Sequence, residues 1–192
     1  VTIAVIGPNA YIVYYMLGDY TAPQDVGTVV TVLDGIRQKV SKETRVLYAK
    51  GCAVRDSSRT GFKDAIETAR NADAVVMVMG GSSARDFSSE YEETGAAKVT
   101  INQISDMESG EGYDRATLHL MGRQLELLEE ISRLGKPVVL VLIKGRPLLM
   151  EGAIQEAEAI VDAWYPGMQG GNAVADVLFG DYNPAGRLTL SV

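Results

Sequence analysis

The acidic residues of this sequence are densest between about residues 84 and 116, and one of them, Glu111, stands between two glycines in residues 109–113 (SGEGY). Because glycine carries no side chain beyond hydrogen, a tight loop with this sequence would push one carboxyl group outward into a neighbouring cleft. A carboxyl group presented in that way is suited to general acid/base chemistry. Spacing alone leaves a second interpretation open, in which the segment is a solvated acidic loop.

The residues that follow Glu111 fit a supporting role. Tyr113 could offer an aromatic face to a sugar ring, which would make it a substrate-binding residue. Asp114 and Arg115 carry opposite charges, so we expect them to pair and to hold the base of the loop, at a modest gain in stability if they are exposed.

Other kinds of site are poorly supported. With one histidine and one cysteine the chain lacks the three or four ligands of a usual zinc site, and we predict no metal and no cofactor. A calcium site made of carboxylates remains a less favoured alternative. The single histidine, His119, is expected at the start of a helix in a structural role, since no Gly-x-Ser-x-Gly run presents a serine nucleophile.

Two glycine-rich runs resemble phosphate loops only weakly. Residues 80–85 (GGSSAR) have neither the P-loop spacing nor the dinucleotide-binding fingerprint. Gly170 and Gly171 precede a predicted helix, where they would either cradle an anion or permit close packing of that helix. Both interpretations of this pair remain open at the level of sequence.

Charge and hydropathy exclude several partners. The net charge of -7 and a pI near 4.8 would repel nucleic acid and anionic lipid, so we expect neither as a partner. No apolar run approaches the roughly 20 residues that span a bilayer, and we predict no membrane segment. Cys52 is the sole cysteine, which excludes an internal disulfide and favours a position in the core.

Strand-like and helix-like segments alternate along the chain. Near-continuous apolar runs predict strands over residues 2–6, 45–49, 74–79, 137–143 and 159–164. Helical spacing predicts helices over residues 29–40, 62–69, 118–131 and 169–179, with Gly135 and Gly180 as caps. This alternation predicts an α/β fold, a three-layer α/β/α sandwich with a mostly parallel sheet of five or six strands.

The domain organisation follows from length and from the break in this pattern. Residues 1–192 are expected to form a single domain with a long loop at about 84–116, and long loops of that kind are commonly functional. The chain begins and ends within strand-like runs, so we expect it to be part of a longer protein.

Four motifs in order along the chain resemble the second domain of glycoside hydrolase family 3, of the β-glucosidase and β-xylosidase type. They are residues 5–10 (VIGPNA), 136–142 with 145–147 (KPVVLVL and GRP), 164–167 with 170–171 (WYPG and GG), and 183–188 (NPAGRL). Residues 109–113 are similar to the loop that carries the acid/base glutamate in several family members.

The resemblance implies a retaining, exo-acting β-glycosidase in which a preceding (β/α)8 barrel domain of the same chain supplies the aspartate nucleophile. Glu111 would be the general acid/base, with Glu108 and Glu92 as the other candidates. The substrate would be an oligosaccharide or other glycoside, and a periplasmic or extracellular location is typical of the family. The isolated chain is expected to be inactive, and the alternative function is a non-catalytic carbohydrate-binding or scaffold domain.

Overall fold

The computed structural model describes residues 1–22, 24–83, 93–94, 106–110 and 113–188, with Val26 described by its backbone alone. Within these ranges the chain forms five strands: β1 (Thr2–Ile6), β2 (Arg45–Ala49), β3 (Ala74–Gly80), β4 (Val138–Ile143) and β5 (Ala159–Asp162). They make one sheet in the order β2-β1-β3-β4-β5, and every neighbouring pair is parallel. The predicted fold class is confirmed, with the lower of the two predicted strand numbers in the described part of the chain.

Helices cover both faces of the sheet. They are α1 (Val32–Lys39), α2 (Phe62–Arg70), α3 (Gln124–Ser132), α4 (Glu151–Ile154) and α5 (Gly170–Leu178), and two short 3-10 turns occupy Val13–Met16 and Val26–Thr28. Alternate strand residues point to opposite faces: Ala4 and Ile6 of β1 pack with α2, α3 and α4, whereas Ile3 and Val5 pack with α1 and α5. The sheet is therefore the middle layer of a sandwich with an apolar core on each side.

Helices α1 and α5 approach each other more closely than side chains would permit. A Cβ atom placed on Gly171 would lie 2.0 Å from the carbonyl oxygen of Thr31, and one placed on Gly35 would lie 2.1 Å from the carbonyl oxygen of Gly171. Of the two interpretations of the glycines at the start of α5, close helix packing accounts for Gly171.

Several predicted boundaries differ from the structure: α1 begins at Val32 rather than at residue 29, and α4 was not predicted. Backbone geometry explains two further differences. Helix α3 begins at Gln124 rather than near residue 118, because Gly122 has a φ of +65° that a right-handed helix cannot contain. His119 was predicted at the start of this helix and instead lies in exposed chain before it. Strand β5 ends at Asp162 rather than at Trp164, whose φ of +51° leaves the extended region.

Candidate functional site

The strand order places a crevice at the carboxyl ends of β1 and β3. Strand β2 lies on one side of β1, whereas β3 and the strands after it lie on the other side. In open parallel sheets, ligands bind at the point where the strand order reverses in this way. At this point Asn9, which follows β1, is fully buried and donates from Nδ2 to the carbonyl oxygen of Gly81 at 2.8 Å. The connections that follow β1 and β3 are thereby joined at the sheet edge.

The end of β3 is fixed by a buried glutamine from α3. The backbone N–H of Gly80 donates to Oε1 of Gln124 at 2.9 Å, and Nε2 of Gln124 donates to the carbonyl oxygen of Gly80 at 2.8 Å. The same Nε2 lies 3.1 Å from the carbonyl oxygen of Val54. One side chain thus satisfies the peptide groups at the strand end, where the ladder of the sheet stops.

Residues 106–110 lie across this sheet edge and are tied to it at several points. Tyr15 donates from its hydroxyl to Oδ2 of Asp106 at 2.8 Å, and Arg55 donates from Nη1 to the carbonyl oxygen of Met107 at 2.9 Å. Burial, and then the hydrogen bond to Asp106, raise the pKa of Tyr15 above its ordinary value, so the phenol keeps its proton. The segment that leads toward Glu111 is therefore firmly anchored.

Glu108 is buried in an ion pair with Arg115. The Glu108 side chain is 1% exposed and that of Arg115 is 3% exposed, and Nη1 of Arg115 contacts Oε2 of Glu108. The other carboxylate oxygen, Oε1, accepts a hydrogen bond from the hydroxyl of Ser109 at 3.0 Å. Arg115 also donates from Nη2 to the carbonyl oxygen of His119. Both charges are therefore paired out of contact with water.

This pairing corrects one prediction made from the sequence. The guanidinium of Arg115 pairs with Glu108 and not with Asp114, because Asp114 is exposed and accepts instead from the backbone N–H of Arg115 at 2.8 Å. Tyr113 is partly buried, and its backbone N–H donates to the carbonyl oxygen of Gly110 at 3.2 Å.

Two of the predicted acid/base candidates, Glu111 and Glu92, lie outside the described residues. The third, Glu108, is brought to the sheet edge but not to its surface.

A cleft of about 510 Å³ opens beside the anchored segment. Its walls come from the segment after β1, from Ser83 after β3, from Ser109 and Gly110, and from the connections after β4 and β5. The lining residues are Leu17, Gly18, Asp19, Tyr20, Thr21, Ser83, Ser109, Gly110, Gly145, Arg146 and Tyr165. Hydroxyl groups, one acidic and one basic side chain and two aromatic rings thus face the same space, which is the donor set that suits a polyhydroxylated ligand.

The ring of Tyr165 forms one wall of this cleft and fills the space over two glycines. A Cβ atom on Gly145 would lie 2.3 Å from Cε2 of Tyr165, and one on Gly18 would lie 3.0 Å from its Cδ2. This packing role of Tyr165 was not predicted from the sequence. Gly145 was the available signal, since it comes two residues after the predicted strand 137–143.

A buried charge at the ends of β4 and β5 was not predicted at all. Lys144 is 1% exposed, its Nζ lies 2.8 Å from Oδ2 of Asp162, and the same Nζ lies 4.0 Å from the centroid of the Trp164 ring. The contact has the distance of an ion pair but not the angle of a hydrogen bond. Lys144 also donates from its backbone N–H to the carbonyl oxygen of Trp164 at 3.2 Å. A lysine at the end of an apolar strand was the signal.

Within the described part of the chain no group of three or more His, Cys, Asp or Glu residues is arranged to hold a metal ion. The helices described there also include none that is long and apolar enough to cross a membrane.

Residues 1–192 match the family model for the glycosyl hydrolase family 3 C-terminal domain. The chain belongs to this family. A β-xylosidase from Formosa agariphila is 41% identical over 196 residues, which cover 99% of the chain and 24% of that protein. A periplasmic β-glucosidase from Salmonella typhimurium is 34% identical and is covered to the same extents, 99% and 24%. The family 3 domain described here therefore spans about a quarter of the length of these curated relatives.

Solved structures of family 3 enzymes share the fold. A family 3 exo-β-xylosidase in complex with a xylobiose aziridine activity-based probe superposes with a TM-score of 0.75 at 30% identity, over 97% of this chain and 21% of that one. A β-glucosidase from Erythrobacter marinus gives a TM-score of 0.72 at 34% identity, over 94% and 24% of the two chains. These relatives are multi-domain glycoside hydrolases, and the family 3 C-terminal domain is one part of them.

Proposed function

We propose that this family 3 domain supplies the general acid/base, Glu111, to a retaining exo-β-glycosidase that releases xylose or glucose from glycosides. The observation that carries the proposal is the anchored segment at the sheet edge. Asp106, Met107 and Glu108 are each tied to neighbouring elements just before residue 111, and Ser109 and Gly110 line the open cleft. A proton donor needs such a fixed base beside an accessible space.

The same geometry disfavours the other described candidate. A general acid must come within hydrogen-bond distance of the oxygen that it protonates. Glu108 has both carboxylate oxygens engaged and a side chain that is 1% exposed, so a glycosidic oxygen has no route to it. Glu111 therefore remains the preferred acid/base residue, with Glu92 as the alternative.

The nucleophile would come from the rest of a longer protein, in which a preceding (β/α)8 barrel domain supplies an aspartate. Retaining glycosidases hold the two carboxyl groups roughly 5 Å apart, so the contact between the two domains would set this distance. In the first step Glu111 would protonate the departing oxygen while the aspartate attacks the anomeric carbon. In the second step Glu111 would accept a proton from water as the glycosyl–enzyme bond is hydrolysed. The isolated 192-residue chain should then be inactive.

The test is the variant Glu111→Ala in the full-length protein, assayed on aryl β-xylosides and β-glucosides. We expect kcat/KM to fall by about 10²–10⁴-fold for a poor leaving group, with a far smaller loss for a good one, because only the former needs a proton. Exogenous azide should restore turnover of the activated substrate by attacking the glycosyl–enzyme intermediate.

Glu93→Ala is the matched control, since Glu93 is an exposed carboxylate in the same acidic segment. Equal losses of activity on both leaving groups in Glu111→Ala would refute the assignment, and a selective loss in Glu92→Ala would transfer the role to Glu92.

A non-catalytic carbohydrate-binding function is the second candidate, and the open cleft with its exposed Tyr20 favours it. Titration of the isolated chain with xylose, glucose and their disaccharides separates the two functions. Binding at millimolar concentration or tighter without the rest of the protein would favour a binding module, because a shared active site leaves each domain with an incomplete pocket.

A further inference from the structure

We infer that Glu108 is a positioning residue for Glu111. It pairs with Arg115 and packs against Gly81, and these contacts fix the chain before and after Glu111. This inference rests on the acid/base role proposed for Glu111. It assigns a function to a buried carboxylate that does not touch the substrate itself.

The first support is where the pair lies along the chain. Glu108 and Arg115 are seven positions apart, so their contact closes the segment between them at its base. The backbone N–H of Glu108 donates to the carbonyl oxygen of Ser82 at 2.8 Å, which fixes one end of that segment to the connection after β3. Arg115 fixes the other end through the carbonyl oxygen of His119.

The second support is that both members of the pair are buried. With side chains 1% and 3% exposed, neither group can turn to water if the other is removed. Breaking a buried ion pair by removing one member leaves an uncompensated charge and is strongly unfavourable. Glu108 and Arg115 therefore have a strong energetic reason to stay in contact, and a proton donor must be held at a fixed distance from its nucleophile.

The third support is the glycine beneath the carboxylate. A Cβ atom on Gly81 would lie 1.9 Å from Oε1, 2.5 Å from Cδ and 2.8 Å from Cγ of Glu108. Two hydrogen bonds hold the backbone of Gly81 in place and oppose a shift away from Glu108. Its N–H donates to the carbonyl oxygen of Ile143 at 2.9 Å, and its carbonyl oxygen accepts from Asn9 at 2.8 Å. Any side chain at position 81 would therefore displace the carboxylate of Glu108.

Gly81 thus offers a way to move Glu108 without changing its chemistry. Its φ is not in the positive range, so alanine suits the backbone, and the three atoms nearest to the added Cβ all belong to Glu108. We expect Gly81→Ala to reproduce the effect of Glu108→Gln and of Arg115→Lys.

The experiment uses the full-length protein and compares aryl glycosides with poor and good leaving groups. Each of the three variants should lose about 10-fold to 100-fold in kcat/KM on the poor leaving group, with little loss on the good one, because a misplaced acid fails only where protonation is needed. A purely structural defect would instead lower the active fraction and reduce both activities equally. Azide should not rescue Glu108→Ala, since the proton donor itself is still present.

The outcomes are separable. Equal losses on the two substrates in Glu108→Gln and Gly81→Ala would overturn the inference while leaving a selective loss in Glu111→Ala intact. Azide rescue of Glu108→Ala would also overturn it, because Glu108 would then be the donor. If Glu111→Ala itself shows no selectivity, the proposed function fails, and the inference fails with it.

Discussion

Replacing Asp162 by alanine should destabilise the fold more than replacing its partner Lys144 by methionine. The two side chains form an ion pair at 2.8 Å, but they are not equally buried: Lys144 is 1% exposed and Asp162 is 17% exposed. An ammonium group left alone in the core has no access to water, whereas an isolated carboxylate at this position can be hydrated in part. The asymmetry of burial therefore predicts an asymmetry in the two free energies of unfolding.

The magnitudes follow from the contacts of each side chain. Removing one member of a buried pair costs about 3–5 kcal/mol. For Asp162→Ala the ring of Trp164, 4.0 Å from the ammonium, remains and offsets about 2 kcal/mol of this loss, which leaves about 1–3 kcal/mol. Methionine fills most of the volume of the Lys144 side chain, so Lys144→Met should cost only about 1–2 kcal/mol.

The assay is urea unfolding of the 192-residue chain and of both single variants and the double variant. The double variant should be more stable than the sum of the single losses predicts, by about 1–3 kcal/mol, because it no longer buries an unpaired charge. A loss below about 1 kcal/mol in Asp162→Ala, or a larger loss in Lys144→Met, would refute the reasoning from burial.

Three further predictions concern other buried groups. Gln124→Leu should lower the free energy of unfolding in urea by at least about 2 kcal/mol, because it leaves a buried peptide N–H and carbonyl at the end of β3 unpaired. The control Gln155→Leu, at an exposed position, should change it by less than about 0.5 kcal/mol. Burial raises the pKa of the Cys52 thiol to about 12, so the native protein should react slowly with a disulfide reagent at pH 8. Because the thiol of the unfolded chain loses its proton at lower pH than the buried one, the free energy of unfolding should fall, relative to that of Cys52→Ala, as the pH rises from about 9 toward 12. Rapid labelling in native buffer would contradict this. Tyr15→Phe should lower the free energy of unfolding by about 1–2 kcal/mol through loss of the hydrogen bond to Asp106, and an unchanged midpoint in guanidinium would count against that anchor.

The sheet could be predicted from the sequence because a strand buried on both faces has a continuous apolar run. Four of the five strands fall within the predicted segments, with β1 and β2 matching at both ends, and β3 extends one residue beyond its predicted segment. Helices α2 and α5 also lie where their apolar spacing places them, since one face of each packs on the sheet.

The errors arose where a single backbone conformation decides a boundary. Leu118 and Met121 keep the helical spacing of α3, yet Gly122 has a positive φ, and a Cβ atom there would lie 2.8 Å from the carbonyl oxygens of Val54 and Asp56. That contact is made with a distant part of the chain, so periodicity could not reveal it. The positive φ of Trp164 is likewise invisible in a pattern of apolar residues.

The candidate site was less predictable than the fold because its ion pairs depend on tertiary contacts. The sequence pointed to the acidic segment and to Arg115 as a support. It could not show that Arg115 pairs with Glu108 rather than with its neighbour Asp114, since Glu108 is buried against Gly81, a contact between distant parts of the chain. The pair formed by Lys144 and Asp162 could not be predicted either, because it also depends on a tertiary contact.

The position of Tyr165 has a consequence for protein engineering. Its ring rests on Gly18 and on Gly145, so one side chain is shared by the connections that follow β1, β4 and β5. Replacing any one of these connections with that of a relative would either remove the packing contacts of the ring or bring a new side chain into collision with it. The cleft should therefore accept loop exchanges only when all three connections come from the same donor, so that its shape is inherited as a block rather than loop by loop.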